Sequence, residues 1–403
     1  MSAIDWRRNQ AAVTLATFIG FTGFTLVMPF LPLYFEQLGL HDTSAIAIWS
    51  GLSLGVTPAI TAAMAPVWAR VADRYGRKLM VVRSLTFFIV TMAAMAYVTR
   101  PWQVLALRAA LGFFAGYGPI AMTMAAESAP PEQMASALGW VQTSQRLGPA
   151  LGPVLGGVLA QTVGLREAFL IAAGIYALAL GLVVAGYREV PRQPEPSGGS
   201  GVPAATFRSL QRVPHFLLIA FTIFGLQLVD RSFGPVLPLY LREIGLTVQR
   251  VPFTSGAIFT IAAAAAAVGN QTSGWLLARW DARHIVPMAA VIAAIGGAVF
   301  GAGPSTAVLF GAAVVFGAGI GAATTTLYTT AGRSVDAPAR GVAFGYLTTA
   351  YLVGLAVSPV VAGFIGARSM RAIFFLDALG LGVLALIVRW RMGSRAPHAN
   401  DHR

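Results

Sequence analysis

Two stretches of this chain spell nearly the same line. Residues 28–40 read MPFLPLYFEQLGL and residues 234–246 read GPVLPLYLREIGL. At an offset of 206 they share Pro29/Pro235, Leu31/Leu237, Pro32/Pro238, Leu33/Leu239, Tyr34/Tyr240, Gly39/Gly245 and Leu40/Leu246. The echo continues: GPALGPVLGG (148–157) answers GLAVSPVVAG (354–363), and ASALGW (135–140) answers GVAFGY (341–346). A duplicated, mostly apolar chain of 403 residues implies two structurally equivalent membrane bundles, with a site where they meet.

The solvent for those bundles follows from charge. Only 11% of residues are charged, against about a quarter in a soluble globule, and the mean hydropathy is +0.70. So few charges do not solvate a surface of this size, and an all-α membrane protein is expected. The net charge of +13 would suit nucleic acid, but its placement argues otherwise. With a cytoplasmic N-terminus, about eighteen of the 28 Lys and Arg fall in cytoplasmic segments and about six in outer ones. The rest, Arg83, Arg108, Arg146 and Arg231, lie within spans. That bias is the positive-inside signature, so nucleic acid is not an expected partner. There is no cysteine, and His41, His215, His284, His398 and His402 sit in loops or at helix ends, so no metal centre or thiol chemistry is expected.

Apolar runs near twenty residues, enough to cross a bilayer, recur at 12–35, 46–69, 79–99, 101–125, 136–162 and 166–187. They resume at 214–240, 252–279, 283–303, 304–330, 341–366 and 370–391. The first is too long for a secretory leader and contains the repeated motif, so it reads as a retained span. Twelve spans return the C-terminus to the cytoplasm, where Arg389, Arg391, Arg395 and Arg403 cluster. Residues 188–213, rich in Pro, Gly, Ser and Arg, read as a flexible cytoplasmic linker between a bundle of 1–187 and a bundle and tail of 214–403. Gly112/Gly116, Gly148/Gly152 and Gly317/Gly321 are spaced for close helix packing. GAGIG (317–321) lies inside a span with no strand before it, so it reads as packing and no ATP site is expected.

Between spans 2 and 3 stands ARVADRYGRK (69–78). With the duplicated twelve-span layout, it resembles the loop Gly-x-x-x-Asp-Arg-x-Gly-Arg-Lys of the major facilitator superfamily. Asp73, Arg74, Gly76, Arg77 and Lys78 match, and Ala69 stands where glycine is usual. The second half carries a degraded copy, GWLLARWDAR (274–283), with Ala278 in place of the acid. In span 5, Gly148, Gly152, Pro153, Gly156 and Gly157 fit every fixed position of Gly-x-x-x-Gly-Pro-x-x-Gly-Gly. That pattern is similar to the antiporter motif of drug/proton exporters in the superfamily: a proline-bearing helix whose glycine face presses against the other half, or a face that only permits packing. The closest resemblance is to bacterial twelve-helix multidrug exporters, which implies a secondary transporter of the inner membrane. It would be monomeric and lipid-embedded, with the proton gradient as energy source and no cofactor.

The resemblance associates Arg108 of span 4 with proton transfer through a nearby acid; snorkelling to the interface is the alternative. Among acids, Asp230 in span 7 and Asp377 in span 12 lie within spans, and Glu127 lies at the inner end of span 4. Asp230 is the leading proton site, because span 7 lines the cavity of this fold, while Asp377 reads as structural. Arg231 points about 100° from Asp230 on a helix, so the two need not pair. Span 1 lacks the acid common in the family. Asp73, Arg77 and Glu127 are expected to form a cytoplasmic latch, or a network that only fixes topology. The resemblance implies a cavity lined from spans 1, 4, 7 and 10 by Phe21, Phe24, Tyr117, Phe224, Gln227, Thr325 and Tyr328, with Gln142, Gln145 and Arg146 added from span 5. Such an aromatic cavity with few polar anchors suits small amphipathic compounds. A sugar, metabolite or lipid carrier on the same fold, a receptor, and a membrane enzyme are the rivals. The last lacks any buried nucleophile or metal constellation.

Overall fold

The computed structural model describes residues 5–189, 213, 215–303, 305–335 and 339–393. The expected linker falls almost wholly outside them, as do Arg395 and Arg403. The described residues are helical, with no strand among them. Span 1 runs as Trp6–Leu26, a 3-10 turn Met28–Phe30 and Leu31–Gln37. Spans 2 and 3 are Thr43–Tyr75 and Arg77–Met95, and span 4 is Pro101–Phe114 followed by Tyr117–Ser128. Spans 5 and 6 are Met134–Thr162 and Leu165–Gly186. Span 7 is Phe216–Asp230 and Phe233–Glu243, and spans 8 to 12 are Val251–Leu277, Ala282–Ala302, Thr306–Ser334, Arg340–Gly366 and Met370–Gly393.

Local chemistry sets these boundaries. Asp5 and Asp42 cap spans 1 and 2, the Asp42 carboxylate accepting from Ser44 N at 3.2 Å and Ala45 N at 3.1 Å. Pro101 opens span 4 at a position where its missing N–H costs nothing. Among the described residues, eleven of the spans are long and apolar enough to cross a membrane. The other is span 5, where the run Gln142-Thr143-Ser144-Gln145-Arg146 interrupts the apolar sequence.

The duplication is legible in the backbone. Gly39 and Gly245 adopt φ +92° and +93°, a left-handed conformation costly for any residue with a Cβ. Each closes the same helix end: Leu40 N donates to Phe35 O at 3.2 Å and Leu246 N to Leu241 O at 3.0 Å, the six-to-one bond of a Schellman cap. Packing repeats too. Span 3 lies on span 6 as span 9 lies on span 12, and span 1 meets span 4 as span 7 meets span 10.

By packing, the chain forms two compact units that cut across the covalent repeat. One comprises Met1–Gly198, Gly234–Thr260 and Pro359–Arg368; the other comprises Gly199–Phe233, Ile261–Ser358 and Ser369–Arg403. The first is centred on span 1, packed against spans 5, 6 and 4. Phe30, Tyr34 and Phe169 are fully buried there, and the Tyr34 hydroxyl donates to Met95 O. The core of the second gathers Phe233, Phe300, Phe316 and Phe374, with ring centroids 4.7–5.6 Å apart.

Candidate functional site

Within the first unit, the turns after spans 1, 5, 7 and 11 lie at the end opposite residue 5, here the distal face. Two halves of the repeat meet there. Gly157 of span 5 has room for no side chain, because an added Cβ would stand 2.9 Å from the Phe253 Cα of span 8. Gly363, its equivalent 206 residues on, faces Ala47 of span 2 in the same manner, at 2.6 Å from the Ala47 carbonyl. Gly256 abuts Pro153, and Gly51 abuts Pro359, the repeat partner of Pro153. The Ser44 hydroxyl donates to Ala367 O at 2.7 Å. Beside this seam Glu36 and Arg242 form an ion pair, each one-third exposed. They occupy equivalent positions of the two copies of the motif. A cavity of about 370 Å³ adjoins the pair, lined by Leu33, Gln37, Gln161, Val248 and Pro252 as well as Glu36.

The span 5 motif therefore does two jobs. Gly148, Gly152 and Gly156 recur every four residues and form one ridge, which faces span 1 and not the other half: an added Cβ would lie 2.8 Å from Phe18 O, 2.6 Å from Thr22 O and 2.7 Å from Leu26 C respectively. Gly157, about 100° around the helix from that ridge, and Pro153 with Val154 meet span 8 instead. Pro153 lacks an N–H, which frees the Pro149 carbonyl, and the Thr25 hydroxyl donates to that carbonyl at 3.5 Å.

At the proximal end, Arg77 and Glu127 form an ion pair. The Asp73 side chain lies outside the described residues. Gly76 holds φ +95° between spans 2 and 3. Glu189, which the sequence reading missed, accepts from Arg77 N at 2.6 Å and Lys78 N at 3.4 Å, capping span 3 from a distance. Lys78 Nζ donates to Val184 O at 3.0 Å and Tyr187 O at 2.6 Å. Arg74 is exposed, its guanidinium 5.4 Å from the Tyr75 ring. Two of the loop's matched positions, Arg77 and Lys78, thus fasten span 3 to spans 4 and 6.

Arg108 is 1% exposed, which excludes snorkelling. Its Nε donates to Ser53 O at 3.1 Å and the Phe24 ring lies 6.0 Å away. Among the described residues no acid pairs with it. Span 4 is interrupted close by, at Ala115 and Gly116, where Gly116 takes φ +108°. Side chains of spans 2 and 3 cover the carbonyls before the break: Thr57 donates to Arg108 O at 2.9 Å, Trp68 to Phe113 O at 2.6 Å and Arg83 to Phe114 O at 3.2 Å.

The expected cavity residues separate into two groups. Tyr117 is 6% exposed, its ring packed on Gly20 and tilted against Phe21, and Gln227 is 4% exposed against Gly354. Both fill bundle interiors, because a glycine opposite each lets it sink inward. Gln145 is half-buried and donates to Gly118 O at 3.0 Å. Gln142 and Arg146 are exposed. They share one stripe of span 5 with Pro153 and Gly157, at intervals of four, seven and four residues. Phe21, Phe24, Phe224, Thr325 and Tyr328 are half-buried. Thr325 donates to Asn270 Oδ1 at 2.8 Å and Tyr328 stacks on Phe344.

The two acids within spans differ in company. Asp230 ends the first helix of span 7, and Arg231, now its C-cap at φ −100° and ψ −3°, turns back to it with an Nε–Oδ2 distance of 3.1 Å. The 100° separation assumed a continuing helix, and the helix stops there. Asp377 is 7% exposed and meets Ser232.

A family model described as Major Facilitator Superfamily matches residues 13–270 and again 228–403. A protein from Dickeya zeae named multidrug resistance protein MdtG is 37% identical over 274 residues, 68% of this chain and 67% of that protein. Its namesake from Proteus mirabilis is 30% identical over 384 residues, 93% of each. Among solved structures, a bacterial homolog to the human lysosomal transporter Spinster, inward-facing and unoccupied, matches with a TM-score of 0.82 at 17% identity, over 99% of this chain and 100% of that one. The nucleoside transporter NupG matches at 0.71 and 15%, over 95% and 99%. At such identities the structural likeness carries the fold alone.

Proposed function

The chain belongs to the major facilitator superfamily and is a multi-pass membrane transporter of small molecules; from that premise we propose that it exports small amphipathic compounds across a bacterial inner membrane in exchange for protons. The observation that carries the reading is the distal seam. The contacts at Gly157, Gly256, Gly51 and Gly363 are glycine against backbone, so at these points the seam separates and re-forms without a glycine side chain to repack. The Glu36–Arg242 pair adds a latch on that face, and Arg77–Glu127 supplies a second network at the proximal end. Opening one face while the other closes is alternating access.

The substrate class is inferred from the named relatives, which are called multidrug resistance proteins, and from the exposed half of the span 5 stripe. Gln142 and Arg146 continue, beyond the seam, the line of Pro153 and Gly157. A cation at that depth needs a solvated or anionic partner, so the stripe faces water and substrate, not lipid. The membrane potential supplies about 2.3 kcal/mol per charge per 100 mV, enough for one imported proton to drive appreciable export. The absence of an acid from residues 16–30 of span 1 favours a second reading, gradient-independent facilitation of one defined solute.

Reconstituted vesicles with an imposed pH gradient separate the two. Accumulation of ethidium against its gradient, collapsing when the pH gradient is dissipated, is expected. Movement indifferent to pH would replace the antiporter with a facilitator.

A further inference from the structure

We propose that Asp377 is the group that binds the transported proton, and that the break in span 7 responds to its charge. This rests on the proton-coupled reading above and names its carrier.

The argument begins with one hydroxyl. Span 7 is interrupted between Asp230 and Phe233. Ser232, in the break, has its Oγ 2.8 Å from Val229 O and 2.5 Å from Asp377 Oδ2. A serine hydroxyl carries a single proton and a backbone carbonyl carries none. The Ser232 hydroxyl lies within donor reach of both acceptors but serves one at a time: Asp377 Oδ2 when that carboxyl is ionised, and Val229 O when the carboxyl is protonated and itself donates to Ser232.

The surroundings favour the protonated form. Asp377 is 7% exposed, one turn from Phe374, whose ring lies 5.1 Å from Phe233 and 5.6 Å from Phe300. No ion pair to it is recorded among the described residues. On span 7 the nearest charges, Asp230 and Arg231, answer each other at 3.1 Å. Span 9 meets span 12 at this level through Gly297, whose added Cβ would stand 3.7 Å from Ala378. The charged groups of span 9, Arg283 and His284, with the adjoining Asp281, are at least thirteen residues away, about 20 Å along the axis. On span 12 itself Arg371 and Arg389 are six and twelve residues distant. Span 10, which supplies Phe316 to the cluster, has its one charge, Arg333, at its far end. Among the described residues Ser232 is the donor that meets a carboxylate at this place, and burying a charge so poorly compensated is costly.

The step follows. The Asp377 O–H bond breaks and its proton passes to water entering from an open face. The Ser232 hydroxyl turns from Val229 to the new carboxylate, and the Val229 carbonyl keeps only the Ser232 N–H, at 3.3 Å. The two pieces of span 7 are then held by one bond fewer at their junction, and the carboxylate draws in water. Reprotonation from the other side restores the closed break.

Asp377→Asn keeps a donor toward Ser232, so a merely structural role survives it. In ethidium-loaded vesicles, one coupled proton and a one-unit pH gradient support about tenfold accumulation by the wild type. Asp377→Asn should lose that accumulation and retain downhill exchange. Infrared difference spectra of the wild type across a pH titration should contain a protonated-carboxyl C=O band, absent in Asp377→Asn and shifted in Ser232→Ala. Gradient-driven accumulation by Asp377→Asn overturns the assignment, as does loss of coupling confined to Asp230→Asn. A wild type indifferent to the gradient defeats the antiporter reading instead, and the infrared band then judges Asp377 alone.

Discussion

Reversing the charge of Glu36 should open the distal face, and reversing Arg242 as well should close it again. Each partner is 33% exposed. That places the pair between exposed ion pairs, worth about 0.2–1 kcal/mol, and buried ones, whose breaking costs about 3–5 kcal/mol. With solvent screening, removing the pair costs about 1 kcal/mol. Two arginines face to face add at least about as much again, so Glu36→Arg shifts the opening equilibrium by about 2 kcal/mol, roughly 30-fold. The chain has no cysteine, so Ser50→Cys introduces a single thiol, nearly isosteric, at a fully buried position next to Gly51 of the seam. Its alkylation by a soluble maleimide in purified, nanodisc-embedded protein reports the open fraction. The rate should rise roughly 30-fold with Glu36→Arg and return to within about threefold of the parent in Glu36→Arg/Arg242→Glu. Because the two positions are equivalent in the repeat, the exchanged pair inherits matching backbone geometry. An alkylation rate unmoved by the single reversal, or not restored by the double one, refutes the latch.

Two further outcomes test the packing and the proximal network. Gly156→Ala puts a methyl onto the Leu26 backbone, which has no rotamer to yield, and should cost about 1–3 kcal/mol in thermal unfolding; Gly139→Ala, with nothing within 4 Å, should be neutral or gain up to about 1 kcal/mol in the same helix. Equal melting temperatures for the two would discredit the span 5 ridge. Arg77→Lys and Glu127→Gln should couple by about 1 kcal/mol or more in a double-mutant cycle of transport rate, since one partner's loss already spends the pair; strict additivity counts against their acting together.

The spans could be located in the sequence because lipid imposes one long-range rule, sustained apolarity, that eleven of the runs satisfy on their own. Span 5 fulfils it least well, and the residues responsible, Gln142 to Arg146, are those whose stripe continues the seam. Departure from the apolar rule was the signal. The breaks were harder to see. Gly116 could have been suspected, since a glycine in a span is either packing or a turn, but only its φ decides between them. The interruption at Arg231–Ser232 left no mark, as neither residue forbids a helix. That single break explains what the sequence left open around it: a continuous helix would project Arg231 to another face, so its pairing with Asp230 was not required, and nothing pointed to Ser232 as the partner of Asp377. Arg108 shows the complementary limit: its charge announced a buried or cavity role, but which atoms compensate it depends on the Ser53 carbonyl, which sequence does not display.

The repeat itself explains why the latch lies where the two copies differ. When a duplicated segment meets its own copy, equivalent positions are brought opposite one another. Apolar, proline and glycine positions tolerate that, and all seven matched positions of the motif except Tyr34/Tyr240 are of those kinds. An ionised position does not, because glutamate facing glutamate repels. Position 36 must therefore lose its charge or change sign in one copy, and here it becomes Arg242. Divergence at position 36 thus marks a place in the motif where the two copies touch through charge.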